Sequence, residues 1–290
     1  MLIGLLKSMR PKQWAKNAFI LVPLVFDQKL FRAGPLVRTI LAVVLFSLVS
    51  SAVYLLNDLG DIERDKLHPV KRSRPLPSGR LSPTVAKAMV ILLPLVCLPL
   101  SYLINPLLAA ILFVYLLQNI AYTFWLKNVV IIDVMTIAAG YVLRVAAGAA
   151  VVGVERFSPW LYLFTILLSL FIALCKRRNE LIVLEEVANE HRAILQEYNG
   201  RFLDEMTGIV TSGAIMAYSL YTFSAPNLPA NHSMMLTIPF VIYGVFRYLY
   251  LVHVRQLGGE PEELFLKDMP LLVDILLCGI LMVVVLYLQP

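Results

Sequence analysis

Long apolar stretches alternate with short polar ones along this chain, and most of the apolar stretches are of one length. About 17 to 25 predominantly apolar residues let a helix cross the hydrocarbon core of a bilayer. Nine such spans are expected, near 17–31, 36–57, 84–104, 106–126, 131–152, 159–175, 208–224, 234–252 and 271–288. The first is the weakest, because Pro23 and Asp27 interrupt it. The pattern predicts an all-α, polytopic membrane protein, with one membrane-embedded domain over residues 1–290. Basic residues near the N-terminus are not followed by a short apolar region and a small-residue cleavage site, so that end reads as mature sequence and not a signal peptide.

Composition supports this reading. At 59% hydrophobic and 15% charged residues, with a mean hydropathy of +0.78, the chain is far more apolar than a soluble domain of its length. Charge then orients it. Nine spans with the N-terminus inside put 20 of the 25 Lys and Arg on the cytoplasmic side, leave Lys29, Arg32, Arg38 and Arg156 outside, and bury Arg144 within a span; positive residues favour the inside. The net charge of +6 is therefore topological, and with no nucleic-acid-binding motif beside it no nucleic acid partner is expected. Cys97, Cys175 and Cys278 lie in or beside apolar spans without a C-x-x-C pair, and read as small core hydrophobes. His68, His191, His232 and His253 are scattered, which excludes a zinc pattern and Ser-His-Asp chemistry.

The chemistry collects in the expected inside loops, 57–83, 176–207 and 254–270. At the inside end of the second span stands Asn57-Asp58-Leu59-Gly60-Asp61-Ile62-Glu63-Arg64-Asp65. On a helix, positions i, i+3 and i+7 lie within about 60° of one another, so Asp58, Asp61 and Asp65 would share one face. Three anions there repel unless a cation sits among them, and Mg2+ takes carboxylate oxygens while sharing its shell with substrate phosphates. A Mg-diphosphate site at a membrane surface is the expectation. The same loop continues through Lys71, Arg72 and Arg74, bases suited to phosphate oxygens, with Pro69, Pro75, Pro77 and Gly79 fixing turns.

Three further segments bear on the site. Lys176-Arg177-Arg178-Asn179-Glu180 precedes Leu181, Leu184, Ala188, His191, Leu195 and Tyr198, the pattern of a helix lying on a membrane surface. Gly258-Gly259-Glu260-Pro261-Glu262-Glu263 suggests a second surface helix, with Glu262 and Asp268 structural. Asp133 and Arg144, eleven residues apart in one span, would be nearly eclipsed; charges at that depth face a cavity or a partner, or else tie helices together.

At these residues the chain resembles the UbiA-type intramembrane prenyltransferase superfamily, whose members have nine helices and an N-D-x-x-D-x-x-x-D motif after the second, here Asn57, Asp58, Asp61 and Asp65. The continuation Arg74-Pro75-Leu76-Pro77-Ser78-Gly79 is also similar. Typical members bind a polyprenyl diphosphate through Mg2+ and prenylate an aromatic acceptor, using a second aspartate-rich motif after helix six. This chain has no D-x-x-x-D there. Its basic Lys176 to Arg178 resembles the decaprenyl-phosphate phosphoribosyltransferase branch, as do Arg10-Pro11-Lys12-Gln13-Trp14-Ala15-Lys16-Asn17, Leu126-Lys127 with Asp133-Val134, Leu143-Arg144 with Ala147-Gly148-Ala149, and Gly259-Glu260-Pro261-Glu262.

That resemblance implies Mg-dependent transfer of 5-phosphoribose from phosphoribosyl diphosphate (PRPP) to a polyprenyl (decaprenyl) phosphate, for cell-envelope glycan precursors. Asn57, Asp58, Asp61 and Asp65 would hold Mg2+, the three aspartates being catalytic. Lys12, Lys16, Asn17, Asn57, Lys71, Arg74, Lys127, Asp133, Arg144, Lys176, Arg177 and Arg178 would bind the two phosphorylated substrates. The implied location is a bacterial inner membrane, among its lipids, with a cytoplasmic active site; a homo-oligomer is left open. The competing readings are an aromatic prenyltransferase using a polyprenyl diphosphate, and a non-catalytic lipid-phosphate binder or transporter.

Overall fold

A computed structural model describes residues 2–67, 71–154, 158–186, 197–257, 264–265 and 267–288. The helices are α1 (Leu2–Ser8), α2 (Val22–Phe26), α3 (Ala33–Gly60), α4 (Ile62–Leu67), α5 (Pro83–Ile104), α6 (Pro106–Phe124), α7 (Ile132–Val152), α8 (Pro159–Glu186), α9 (Gly200–Ser224), α10 (Ile238–His253) and α11 (Met269–Leu288). Shorter 3-10 segments cover Pro11–Leu21, Lys71–Ser73, Leu126–Asn128 and Ser233–Thr237. No strand occurs among the described residues, and the protein is an integral, multi-pass membrane protein.

Seven helical stretches among the described residues are long and apolar enough to cross a membrane: Ala33–Gly60, Pro83–Ile104, Pro106–Phe124, Ile132–Val152, Pro159–Ile182, Ser233–His253 and Met269–Leu288. The other two expected spans differ in kind. Residues 17–31 fold as the end of the Pro11–Leu21 3-10 segment, the short α2, and a turn in which Gln28 has φ +55°. The region expected at 208–224 lies within α9, which has 25 residues but spends many of them on Ser, Thr, Gly and Tyr. Sharp helix starts come from the sequence: Ser82 and Asn105 cap α5 and α6 through their side chains, each followed by proline, which fits a first turn because its missing N–H has no helical partner there. Pro94 and Pro99 sit inside α5, as membrane helices tolerate.

Two compact units are present. The first comprises Met1–Leu24, Lys29–Trp125 and Leu143–Gly153. In it α3 packs against α5, α6 and the Pro11–Leu21 segment, presenting buried Ala42, Ser47, Ser50, Ser51 and Ala52; small residues allow close approach of helices in a bilayer. Gly148 serves the same end, because an added Cβ would collide with the main-chain carbonyl of Ile20. Gly148→Ala is therefore expected to lower stability by about 1–3 kcal/mol, the usual penalty of overpacking, visible as an earlier thermal transition in detergent. An unchanged transition would show that the segment yields.

The second unit comprises Val25–Gln28, Leu126–Val142 and Val154–Pro290. Here α8 packs along α9, and α10 contacts both α9 and α11. One buried cluster gathers Val134, Ala173, Leu174, Leu181, Tyr198 and Leu203; another gathers Leu161, Tyr218, Tyr221, Met234, Val285 and Leu286. Asp268 has the structural role expected of it: Arg247 Nε and Nη2 donate to its two oxygens at 3.0 and 2.8 Å, and Leu271 N–H donates to Oδ1 at 2.9 Å at the start of α11. Hydrogen bonding from Arg247 holds the Asp268 carboxyl below the ordinary Asp range. The pair's contribution is thus present above about pH 4 and is lost as pH falls through the lowered value. The second expected surface helix, at 258–263 and including Glu262, lies outside the described residues. So do 187–196 of the first, whose opening part, through Glu186, is a continuation of α8.

Candidate active site

In the first unit the aspartate run falls where α3 gives way to α4. Asp58 belongs to α3, Asp65 to α4, and Asp61 occupies the junction with φ −104° and ψ 11°. The chain bends there without losing its hydrogen-bond spacing, since Asp61 N–H donates to Asn57 O at 3.0 Å and Asp65 N–H to Asp61 O at 2.8 Å. The carboxylates of Asp58 and Asp65 consequently keep to one side. Arg74 Nη1 reaches both, at 3.3 and 2.8 Å.

Both carboxylates are removed from water, Asp58 being 2% and Asp65 3% exposed. Two buried anions this close demand a cation, and here guanidinium groups supply it: Arg10 Nη2 also lies 2.5 Å from Asp58 Oδ1. Among the described residues no three His, Cys, Asp or Glu side chains converge as a ready metal cluster. The donor chemistry nevertheless fits a hard divalent ion, because the donors are carboxylate oxygens, which such ions prefer, and the ion would take over the charge balance that the guanidinium groups now provide. Asn57 Oδ1 accepts a hydrogen bond from Thr123 Oγ1, which orients its amide beside Asp58.

Local folding puts the two arginines there. Arg74 follows the Lys71–Ser73 3-10 turn, and the turns after it are pinned by Leu76 and Leu81, which bury beside Met9, Leu55 and Ala86. Gly79 has φ +75°, a conformation that lets the chain double back so that Leu81 N–H meets Pro75 O at 2.9 Å. Arg10 itself is left-handed, φ +53°, directly before the segment that carries Lys12 and Lys16. That segment is fastened to α3: Trp14 Nε1 donates to Ser51 Oγ at 3.0 Å, and Ser51 Oγ donates to Met9 O at 3.1 Å. Lys16 Nζ donates to Gln13 Oε1.

Deeper in the same unit, Asn17 and Arg144 lie in the interior. Arg144 Nε donates to Asn17 Oδ1 at 2.8 Å, Arg144 Nη2 to Tyr115 OH at 3.0 Å, and Asn17 Nδ2 to Ser47 Oγ at 2.8 Å. The guanidinium also stands over the rings of Phe46 and Tyr115, an arrangement that stabilises a desolvated cation.

In the second unit, Asp133 is 0% and Arg177 2% exposed, with Nη2 2.7 Å from Asp133 Oδ2; Arg177 also pairs with Glu180. Tyr198 OH donates to Asp133 Oδ1 at 2.6 Å. Burial, followed by this hydrogen bond, pushes the Tyr198 phenol up to about 12. Arg178 Nε donates to Asp204 Oδ1 at 3.0 Å, and His253 Nε2 lies 3.1 Å from the same oxygen. Lys176 is half-buried, and no carboxylate pairs with it among the described residues. Lys127 sits in the middle of the Leu126–Asn128 turn.

Residues 19–266 match the model of the UbiA prenyltransferase family. The chain belongs to that family. It is similar to the decaprenyl-phosphate phosphoribosyltransferase of Mycobacterium tuberculosis, at 31% identity over 91% of this chain and 88% of that one, and to its namesake in Corynebacterium glutamicum, at 31% over 99% and 88%. In fold it resembles a UbiA homologue from Archaeoglobus fulgidus solved with GPP and Mg2+, with a TM-score of 0.76 and 15% identity over 98% of this chain and 99% of that one. The UbiA family and these relatives make the protein a membrane transferase.

Within this UbiA chain the expected site residues separate into two classes. Asp58 and Asp65 converge on Arg74, while Asn57 and Asp61 are their neighbours in sequence, and no three carboxylates gather among the described residues. Asn17, Asp133, Arg144 and Arg177, also expected among substrate contacts, lie in the interior, where Arg144 pairs with Asn17 and Arg177 with Asp133; a span's buried charge takes such a partner. Arg10 was not assigned a role from sequence, although it opens the Arg10-Pro11-Lys12 motif; its pairing with Asp58 links positions 48 apart, which no local pattern signals. Thr123 and Tyr198 escaped for the same reason.

Proposed function

We propose that the protein transfers the 5-phosphoribosyl group of PRPP to a polyprenyl phosphate, releasing diphosphate. The observation that carries this reading is a buried carboxylate site, Asp58 with Asp65, in a chain whose sequence has the basic run Lys176 to Arg178, within α8, where a second acidic motif would otherwise stand. The names of the M. tuberculosis and C. glutamicum relatives support it, and the Mg2+ in the A. fulgidus homologue supports a divalent ion.

Asp58 and Asp65, with Asp61 and Asn57, would hold Mg2+, which when bound offsets the negative charge that grows on a leaving diphosphate. Arg10 and Arg74 stand on those carboxylates and so lie within reach of phosphate oxygens brought to them. Lys12, Lys16 and Lys71 are the further phosphate ligands of the proposal in the first unit; Lys127, Lys176 and Arg178 of the second are the bases that the sequence resemblance assigns to phosphate, Arg178 being shared with Asp204. No general base is required: an oxygen of the ionised lipid phosphate attacks the anomeric carbon, the bond from that carbon to diphosphate breaks, and positioning and charge relief do the rest. The apolar helices would receive the isoprenoid chain, in a bacterial inner membrane with the site facing the cytoplasm where PRPP is made.

Purified protein incubated with Mg2+, polyprenyl phosphate and ribose-labelled PRPP is expected to place label in the organic-solvent fraction, and EDTA to stop it. Transfer from a polyprenyl diphosphate to an aromatic acid, with no ribose label in lipid, would replace this reading by aromatic prenylation. Tight lipid binding with no turnover would make the protein a binder or transporter. Within the proposed reaction Arg10→Ala is expected to raise KM for PRPP roughly 10- to 100-fold, the loss of a charged hydrogen bond of about 1.5–3 kcal/mol; an unchanged KM would confine Arg10 to holding Asp58.

A further inference from the structure

The loop bearing Lys127 contains a backbone conformation that its own sequence disfavours. Ile131 has φ +70°, in the left-handed region where a β-branched side chain is a marked outlier, and such strain persists only when the surroundings over-determine it. The restraint is visible. Ile131 N–H donates to Tyr198 OH at 2.7 Å, Tyr198 OH donates to Asp133 Oδ1 at 2.6 Å, and Arg177 holds Oδ2 of the same carboxylate. Backbone hydrogen bonds run back from this point to the Lys127 turn, from Asp133 N–H to Val129 O at 3.0 Å and from Val129 N–H to Leu126 O at 3.2 Å.

Tyr198 is itself well anchored. Its ring lies in the cluster of Val134, Leu181 and Leu203 and stacks on Phe202. A phenol pushed up to about 12, first by burial and then by its bond to Asp133, stays protonated at working pH and keeps donating. The loop therefore depends on one hydroxyl that accepts from a strained amide and donates to a buried ion pair.

We propose that Tyr198 is a positioning residue, a latch that fixes the 126–131 loop through Ile131 and so holds Lys127 in place for phosphate. The role given to Lys127 rests on the proposed function; the latch itself does not. Tyr198→Phe keeps the ring and removes the link. In that variant, hydrogen exchange of the 126–131 segment is expected to speed up at least tenfold while exchange elsewhere in α8 and α9 stays as in the parent. Unchanged protection overturns the latch whatever reaction the protein performs.

With Mg2+, PRPP and polyprenyl phosphate, Tyr198→Phe is expected to raise KM for PRPP about tenfold with kcat within twofold, and to add nothing when Lys127 is already alanine. Effects that multiply in the double variant would overturn action through Lys127. Asparagine tolerates the left-handed region, so Ile131→Asn added to Tyr198→Phe should restore much of the lost affinity. If Tyr198→Phe does not fold, recovery of folded protein by the added Ile131→Asn supports the latch, and failure of both contradicts it. A parent protein that transfers nothing from PRPP would refute the proposed function alone, leaving the exchange measurement to decide the latch.

Discussion

Asp58→Asn is expected to cut turnover by about three orders of magnitude or more, while the protein remains folded in detergent. The first part follows from what the site must do: offsetting the charge of a leaving diphosphate contributes several kcal/mol, and each 1.36 kcal/mol is tenfold in rate. The second follows from the partners of the carboxylate. Arg10 and Arg74 are about a third exposed, so exchanging a buried charge for an amide of the same shape removes ion pairs that water already weakens, along with the burden of keeping Asp58 desolvated. Asp65→Asn should behave alike, because Arg74 joins the two. Turnover near that of the parent in either variant would remove the metal role from this run.

Arg177→Leu should fail in the opposite way, through folding. Arg177 and Asp133 are both essentially buried and lie 2.7 Å apart; deleting one partner leaves the other charge without compensation, at a cost of about 3–5 kcal/mol. Thermal unfolding in detergent is the measurement, with a transition many degrees lower than in the parent. Whatever fraction stays folded should retain its KM for PRPP within a few-fold, since the geometry gives this guanidinium to Asp133 and Glu180. A stable Arg177→Leu protein with a strongly raised KM would return Arg177 to the substrate.

These two variants mark how far the sequence can be read. The aspartate run stood out directly, because Asp58, Asp61 and Asp65 repeat with a helix's own period at the end of an apolar run; the bend at Asp61 keeps the backbone hydrogen bonds, and Asp58 and Asp65 share Arg74. Lys176, Arg177 and Arg178 could be read as a basic cluster but not told apart, since adjacent positions on a helix point about 100° away from one another. The fold sends Arg177 inward to Asp133, Arg178 to Asp204, and leaves Lys176 without a carboxylate among the described residues. Arg10 was visible only as part of a motif, its partnership with Asp58 being set by tertiary packing through Trp14 and Ser51. Hydropathy marked seven stretches that fold as helices long and apolar enough to cross a membrane among the described residues; at 17–31 Pro23 and the turn at Gln28 give short helical pieces in place of one long helix.

The most direct measurement follows two labels in one reaction: PRPP labelled in its ribose and in the terminal phosphate of its diphosphate, incubated with Mg2+, polyprenyl phosphate and the purified protein. The account predicts ribose label in the lipid and the phosphate label in water as diphosphate, in equal amounts, with both lost in Asp58→Asn. Terminal-phosphate label in the lipid, or no label there at all, would contradict it.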